Sequence, residues 1–369
     1  MKKYLLLLTL GGLLFSCEIP DEEEIIDSTT GIMPSEFKID IPDALNDELA
    51  SSFRTNQKAS SDTIQALELY KLVRAYVEIG ENSAEVVEKI MISLNTAVGV
   101  GVTSFTYTSK DDDRTKTITI NQDVFKEGTI WAYEAVIKDQ NGSKALQVFW
   151  NNTPLKGIAI LSPYNIDRTN PNNTGSPDAL YRIDYNTSPA NSMYEATMDI
   201  QIAGLVVTSA DSNAVDNFKM AVGRKSNGDV EVRGNSNHPL LKFDKGSSVH
   251  GMNYVFAGRG NQSADRAAVQ IALPASSITT TTNLFDTYSI YNTYKTAILS
   301  QSKATPATVD AYLTAHLGNA KAPAYFRSTQ FIGDGVDERP SDYSADFADL
   351  SSLTPFAPNT IATLILDFL

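Results

Sequence analysis

The chain has 369 residues, of which 44 are acidic and 30 basic, for a formal charge of −14, and it holds one cysteine. Phosphate recognition needs clustered lysines and arginines, so this balance argues against nucleic acid and anionic headgroups as partners of the folded part. With one thiol no internal disulfide can form, and stability has to come from the core.

Met1-Lys2-Lys3 precedes an apolar run from Tyr4 to Phe15, followed by Ser16-Cys17. That run is well short of the roughly 20 apolar residues a permanent membrane helix needs, and it reads as a cleaved export signal over residues 1–16. Leu14-Phe15-Ser16-Cys17 resembles the lipobox of bacterial lipoproteins, with an aliphatic first residue, a small residue before the cleavage and the thiol after it; Phe15 is bulkier than the usual second residue. The resemblance implies a diacylglyceryl thioether on Cys17 and an acylated amino terminus, with palmitate-type chains. Two or more such chains anchor stably where one does not.

Residues 17–35 read as an acidic, disordered tether: Glu18 to Asp27 carries six acidic side chains and no basic one, too little apolar surface to fold. Such a stretch beside the lipid is similar to the export tag by which Bacteroidota-type lipoproteins reach the outer face of the outer membrane; a plain solvated tether is the alternative. Loss of residues 1–16 removes two lysines, leaving 28 basic against 44 acidic side chains and a formal charge of −16.

Residues 36–369 read as one β-rich domain. About 42–96 is expected to be helical: a short run through Leu45, Leu49 and Phe53, a helix through Ile64, Leu67, Leu72, Val73, Tyr76 and Val77 that Gly80 stops, and another through Val86, Val87, Ile90, Met91 and Leu94, together a helical hairpin with one apolar face. From Val102 the period becomes two. Strands around Phe105 and Ile118 flank Asp111-Asp112-Asp113, an acidic tip without the alternating carboxylates a calcium loop requires.

Asn141-Gly142 marks the next hairpin. A two-residue loop would pair Tyr133 with Trp150, Ala135 with Val148 and Ile137 with Leu146, giving an apolar, aromatic face that bears both tryptophans, Trp131 and Trp150. That face has to meet a core, the helical hairpin or a ligand, and Trp131, Tyr133 and Trp150 are the candidate ligand-facing residues. A second hairpin at Asn227-Gly228 would set Arg224 against Glu231 on a wet face. Further strand patterns bring the total to about ten in an antiparallel meander, and about 284–369 turns helical again, with Thr305 and Pro306 opening one helix.

Catalytic patterns are weak. His238, His250 and His316 share no metal-binding spacing. Gly246-Ser247-Ser248-Val249-His250-Gly251 has His250 where a hydrolase elbow needs glycine. No phosphate loop or dinucleotide fingerprint is present, and no cofactor is implied. Asp334, Asp337, Glu338, Asp342, Asp346 and Asp349 are the densest carboxylates, a solvated loop or one side of a glycoside-cleaving pair.

The expected architecture is α+β and mostly antiparallel β: a curved sheet or open barrel-like meander with an N-terminal helical hairpin and C-terminal helices. The expected role is that of an outer-membrane lipoprotein facing the surface, held by the membrane through Cys17. It would bind a hydrophobic or amphipathic small molecule without catalysis, or assist uptake. A structural or adhesive lipoprotein without a pocket, and a glycan-directed hydrolase, are the alternatives.

Overall fold

The computed structural model describes residues 37–46, 64–98, 103–190, 192–207, 214–240 and 251–369. They form two compact units of mostly antiparallel β structure, with thirteen strands besides a short parallel pair, Ile64–Gln65 with Leu317–Gly318. Of the described residues, one unit comprises those of 37–39, 80–206 and 365–369; the other comprises those of 40–79 and 207–364.

Helix α1 runs unbroken over Leu67–Val98, its residues up to Ile79 belonging to the second unit and those from Gly80 to the first. The expected stop at Gly80 does not occur, so this stretch is one helix and not a hairpin. A single glycine inside a helix costs about 1 kcal/mol, which the burial of Val73, Tyr76, Val77, Val87, Ile90 and Met91 on either side exceeds. The run through Leu49 and Phe53 lies outside the described residues.

The first unit carries strands β1 (Ser104–Thr108), β2 (Thr115–Lys126), β3 (Thr129–Lys138), β4 (Lys144–Asn152), β5 (Leu155–Leu161), β6 (Leu180–Asn186) and β7 (Ala196–Ala203). Each pairs antiparallel with the next. One face, through Trp150, Gly157 and Tyr185, is covered where the chain enters the unit. The Phe37 ring lies against Gly157 and 5.6 Å from Tyr185, while the Phe37 N–H donates to Glu88 Oε1 of α1 at 2.8 Å.

The β3–β4 hairpin pairs Tyr133 with Trp150, Ala135 with Val148 and Ile137 with Leu146, the expected register, by an unexpected route. Its loop has three residues, closed by Asp139 N–H to Ser143 O at 2.8 Å with Gly142 at φ 87°. A bulge between Ile137 and Lys138 then restores the register a two-residue loop would give.

The second unit carries β8 (Phe218–Arg224), β9 (Asp229–His238), β10 (Met252–Asn261), β11 (Arg266–Ala272), β12 (Ala324–Arg327) and β13 (Gln330–Asp334), again antiparallel in chain order. Helices α2 (Ile290–Gln301) and α3 (Pro306–His316) lie between β11 and β12, α3 capped by the Thr305 hydroxyl as its sequence suggests. The β8–β9 loop also has three residues, but no bulge corrects it. Arg224 therefore meets Val230, and Glu231 meets Gly223. Glu231 is not on a wet face: it is buried between Lys225 at 2.6 Å and Arg259 at 2.5 Å.

Both faces of this second ladder are covered. On one, Leu45 packs against Gly258 and Gly260, and Arg74 donates to the carbonyls of Asp43 and Asn46 at 3.1 and 2.5 Å. On the other, Leu284, Phe285, Tyr343, Phe347, Leu350 and Leu353 cover Val255, Ala257, Ala268 and Ala272. Asn253 and Asn217 hold the carbonyls of Pro358 and Ile361 at 2.7 and 3.0 Å.

Phe37 anchors the first unit's covering segment, and the strand beneath it has no room for a side chain. A Cβ at Gly157 would stand 2.6 Å from the Phe37 ring and 2.7 Å from the Phe149 carbonyl oxygen. Gly157→Ala is expected to cost about 1–3 kcal/mol in denaturant unfolding, whereas an unchanged midpoint would show that Phe37 does not sit on this strand.

Candidate functional site

Cys17 and the acidic tether lie outside the described residues. Of the three candidate ligand-facing side chains, the structure brings two together. Tyr133 stacks on Trp150 with ring centroids 5.3 Å apart, and Trp150 is fully buried.

Trp131 does not join them. Cross-strand pairing is interrupted between Gln122–Tyr133 and Val124–Trp131, where Asp123 has φ 53° and Ala132 N–H donates to the Asn151 side chain at 2.7 Å. A left-handed residue breaks the alternation of facing along a strand, and beyond it the hairpin folds over the opposite face. Trp131 there packs 6.2 Å from Phe149, with Ile158, Ile160, Val124, Phe368 and Leu369. Neighbouring residues of a strand point to opposite faces, so Phe149 and Trp150 separate the two tryptophans.

The flap ends in a tight turn, Glu127-Gly128, both at positive φ. Arg182 of β6 holds it by a bidentate pair, Nη1 and Nη2 each 2.9 Å from a Glu127 oxygen, and also pairs with Asp184 at 2.9 Å. The Arg182 hydrogen bond holds the Glu127 carboxyl below its ordinary value, and the same bond raises the guanidinium. On the outer side of the flap Phe125 and Ile130 form a cross-strand pair, each 67% exposed.

A second polar node lies at the other end of these hairpins. The acidic tip after β1 turns inward: Lys116 Nζ donates to Asp112 Oδ2 at 2.8 Å, Asp139 Oδ1 at 3.0 Å and Asn165 O at 2.9 Å. Those three bonds use every hydrogen of a buried ammonium. Arg114 adds a fork onto Asp139, and Arg168 Nε stands 2.8 Å from its Oδ2. Burial pushes the Asp139 carboxyl up, but the hydrogen bonds from Arg114, Lys116 and the Gln140 N–H outweigh it and hold the group well below the usual carboxylate range.

The other sequence candidates part company. His238 is buried, its Nε2 lying 2.9 Å from Ser236 Oγ and 3.1 Å from Tyr76 Oη, with Tyr254 edge-on at 4.6 Å. His316 packs on Tyr312. Ser248 and His250 lie outside the described residues. Of the 334–349 carboxylates, Asp334 and Glu338 share Lys321, through its N–H and its Nζ, while Asp342 goes to Arg327 and Asp349 to Ser351 N–H. Among the described residues no group of three or more His, Cys, Asp or Glu could hold a metal ion, and no helix is long and apolar enough to cross a membrane.

No protein-family model matches the chain, and neither a curated protein nor a solved structure does.

Sequence reading missed the group on the Phe149 face. Gln147, Glu134, Asn121 and Lys144 form a connected set around Leu369, more than 200 positions away along the chain. Two buried polar residues opposite Val136 and Phe149 in a paired register were the available signal.

The Asp139 node sets an acid limit. Its lowered value in the folded state contributes stability that is complete above the unfolded value near 4 and lost as pH falls through the folded one. Asp139→Asn, which leaves Lys116 and Arg114 short of countercharge, is expected to cost about 3 kcal/mol at pH 7 and to flatten the loss of stability below pH ~4. Equal acid profiles for the two proteins in urea titrations would show that the node does not govern acid unfolding.

Proposed function

We propose that this chain is a lipid-anchored, non-catalytic protein of the outer membrane that faces the cell surface and acts through its exterior, as a scaffold or adhesive module. The observation behind this choice is the packing of the aromatic wall. A container for a hydrophobic molecule needs Trp131, Tyr133 and Trp150 to line one open space. Trp150 instead stacks on Tyr133, and Trp131 is sealed by the flap and by Phe368 and Leu369.

The anchor part of the proposal rests on Lys2-Lys3, the leucine run and Cys17; the acidic residues 18–27 support surface display. The exposed Phe125–Ile130 pair is the kind of exterior apolar feature a partner can use.

The test has two arms. Cys17→Ser should move the protein from the membrane to the soluble fraction, and the unaltered protein should be cleaved by protease added to intact cells. Native mass spectrometry of protein extracted from its own membranes should show the acylated chain and nothing else. Retention of the serine variant in the membrane would sink the anchor, and a stoichiometric extra lipid or glycan would restore the container.

A further inference from the structure

Three asparagines and an aspartate meet on one face of the second ladder. Asn237 of β9 stands directly opposite Asn253 of β10, and directly opposed residues share a face. Asn235, two residues back along β9, lies on that face too. On the other side of β9, the Asn237 N–H donates to Asn217 O at 2.9 Å and its carbonyl accepts from the Asp216 N–H at 3.0 Å, which sets Asp216 beside the group.

The amide nitrogens all have acceptors. Asn253 Nδ2 donates to Pro358 O at 2.7 Å, Asn235 Nδ2 reaches the same oxygen at 3.5 Å and Ala357 O at 3.4 Å, and Asn237 Nδ2 donates to Asp216 Oδ2 at 3.3 Å. The amide oxygens differ. Asn235 and Asn253 are 0% exposed and Asn237 3%, and the Oδ1 of each meets no donor among the described residues. Turning an amide over does not help, because its nitrogen already faces an oxygen. The three oxygens are therefore buried acceptors that call for a cation or a donor from outside the chain.

Charge decides between the two. Asp216 is half-buried, and burial pushes its carboxyl up with only the Asn237 hydrogen bond opposing the shift. Two cations of the same face, Lys219 opposite Asn235 and Arg233 next along β9, lie over the Phe356 ring at 4.6 and 5.6 Å, and neither pairs with Asp216. A carboxylate beside three unpartnered amide oxygens is a hard, oxygen-only donor set with one negative charge.

We propose that Asp216, Asn235, Asn237 and Asn253 form a calcium site, with the carboxylate and the three amide oxygens as its protein ligands. Calcium takes about six to eight oxygens in adaptable geometry, waters and carbonyls among them, whereas magnesium demands near-octahedral geometry and sheds water reluctantly. With one charged ligand the affinity falls in the weak range, a Kd on the order of 10⁻⁴–10⁻³ M. The partly exposed Asp216 gives the ion its way in. The bound ion ties the entry of β8 to β9 and β10. The site goes beyond the scaffold reading and is independent of the anchor.

The test is urea unfolding of the full chain, dialysed first against a chelator, at rising calcium and, in parallel, at equal magnesium. Calcium at ten times its Kd should raise the folding equilibrium constant about tenfold, and magnesium should do far less. Asp216→Asn should abolish the calcium effect, while Asp337→Asn, at an exposed acid outside the group, should keep it. Asn237→Ala should weaken the effect as well; if that variant does not fold, the two aspartate variants carry the comparison. No stabilisation at about 10 mM calcium, a concentration ten times the weakest Kd expected, would overturn the proposal and leave the amide oxygens to ordered water. Equal stabilisation by magnesium, or a full calcium effect in Asp216→Asn, would overturn it in favour of general screening of an acidic chain. None of these outcomes bears on membrane attachment, which the Cys17→Ser variant tests separately.

Discussion

Every strand of a meander with apolar side chains on both faces has to be covered twice. In the first unit β4 buries Leu146, Val148 and Trp150 on one side and Gln147 and Phe149 on the other; in the second, β10 buries eight of its ten residues. The coverings are mostly irregular chain, and irregular chain brings main-chain N–H and C=O groups that need partners once buried. Side-chain amides and guanidinium groups supply them. Arg74 holds residues 43 and 46, Asn217 and Asn253 hold residues 361 and 358, and Gln147 holds residue 369. These buried polar residues are fixtures for segments distant in sequence.

Charge follows the same logic. The chain is strongly acidic, yet its buried carboxylates sit in closed groups with cations: Asp112 and Asp139 with Lys116 and Arg114, Glu231 with Lys225 and Arg259. Breaking such a group leaves an uncompensated charge, which is the costly event, while an intact group contributes little net stability over an apolar replacement. Their value lies in position. The Lys116 node ties the β1–β2 tip to the β3–β4 loop and to Asn165, and the Arg182–Glu127 pair ties the flap to β6. The same flap and the 365–369 segment close the face that an interior ligand would need.

Local features of the fold were legible in the sequence where they rested on period and turn chemistry. The β3–β4 pairing came out as expected because a bulge cancelled the third loop residue, and the same loop chemistry without a bulge displaced Arg224 and Glu231 by one position. A bulge leaves no composition signal, so neither outcome could be read in advance. Gly80 failed as a stop because burial along α1 outweighs the propensity of one residue. Tyr133 and Trp150 could be paired from register. Trp131 could not be placed, since the turn of the hairpin depends on an aspartate, Asp123, adopting positive φ within a strand. Least legible was the polar cluster around Gln147, because its partner Leu369 lies 222 positions along the chain.

The central claim is that both tryptophans are dry and in contact with their own chain when no ligand is present. Because Trp131 and Trp150 are the only tryptophans, intrinsic fluorescence of the purified protein tests this directly. The account predicts blue-shifted emission with little acrylamide quenching, unchanged on adding lipid or oligosaccharide and red-shifted only on unfolding. Readily quenched, red-shifted emission that becomes protected when a lipid is added would contradict it and show an open aromatic wall waiting for a ligand.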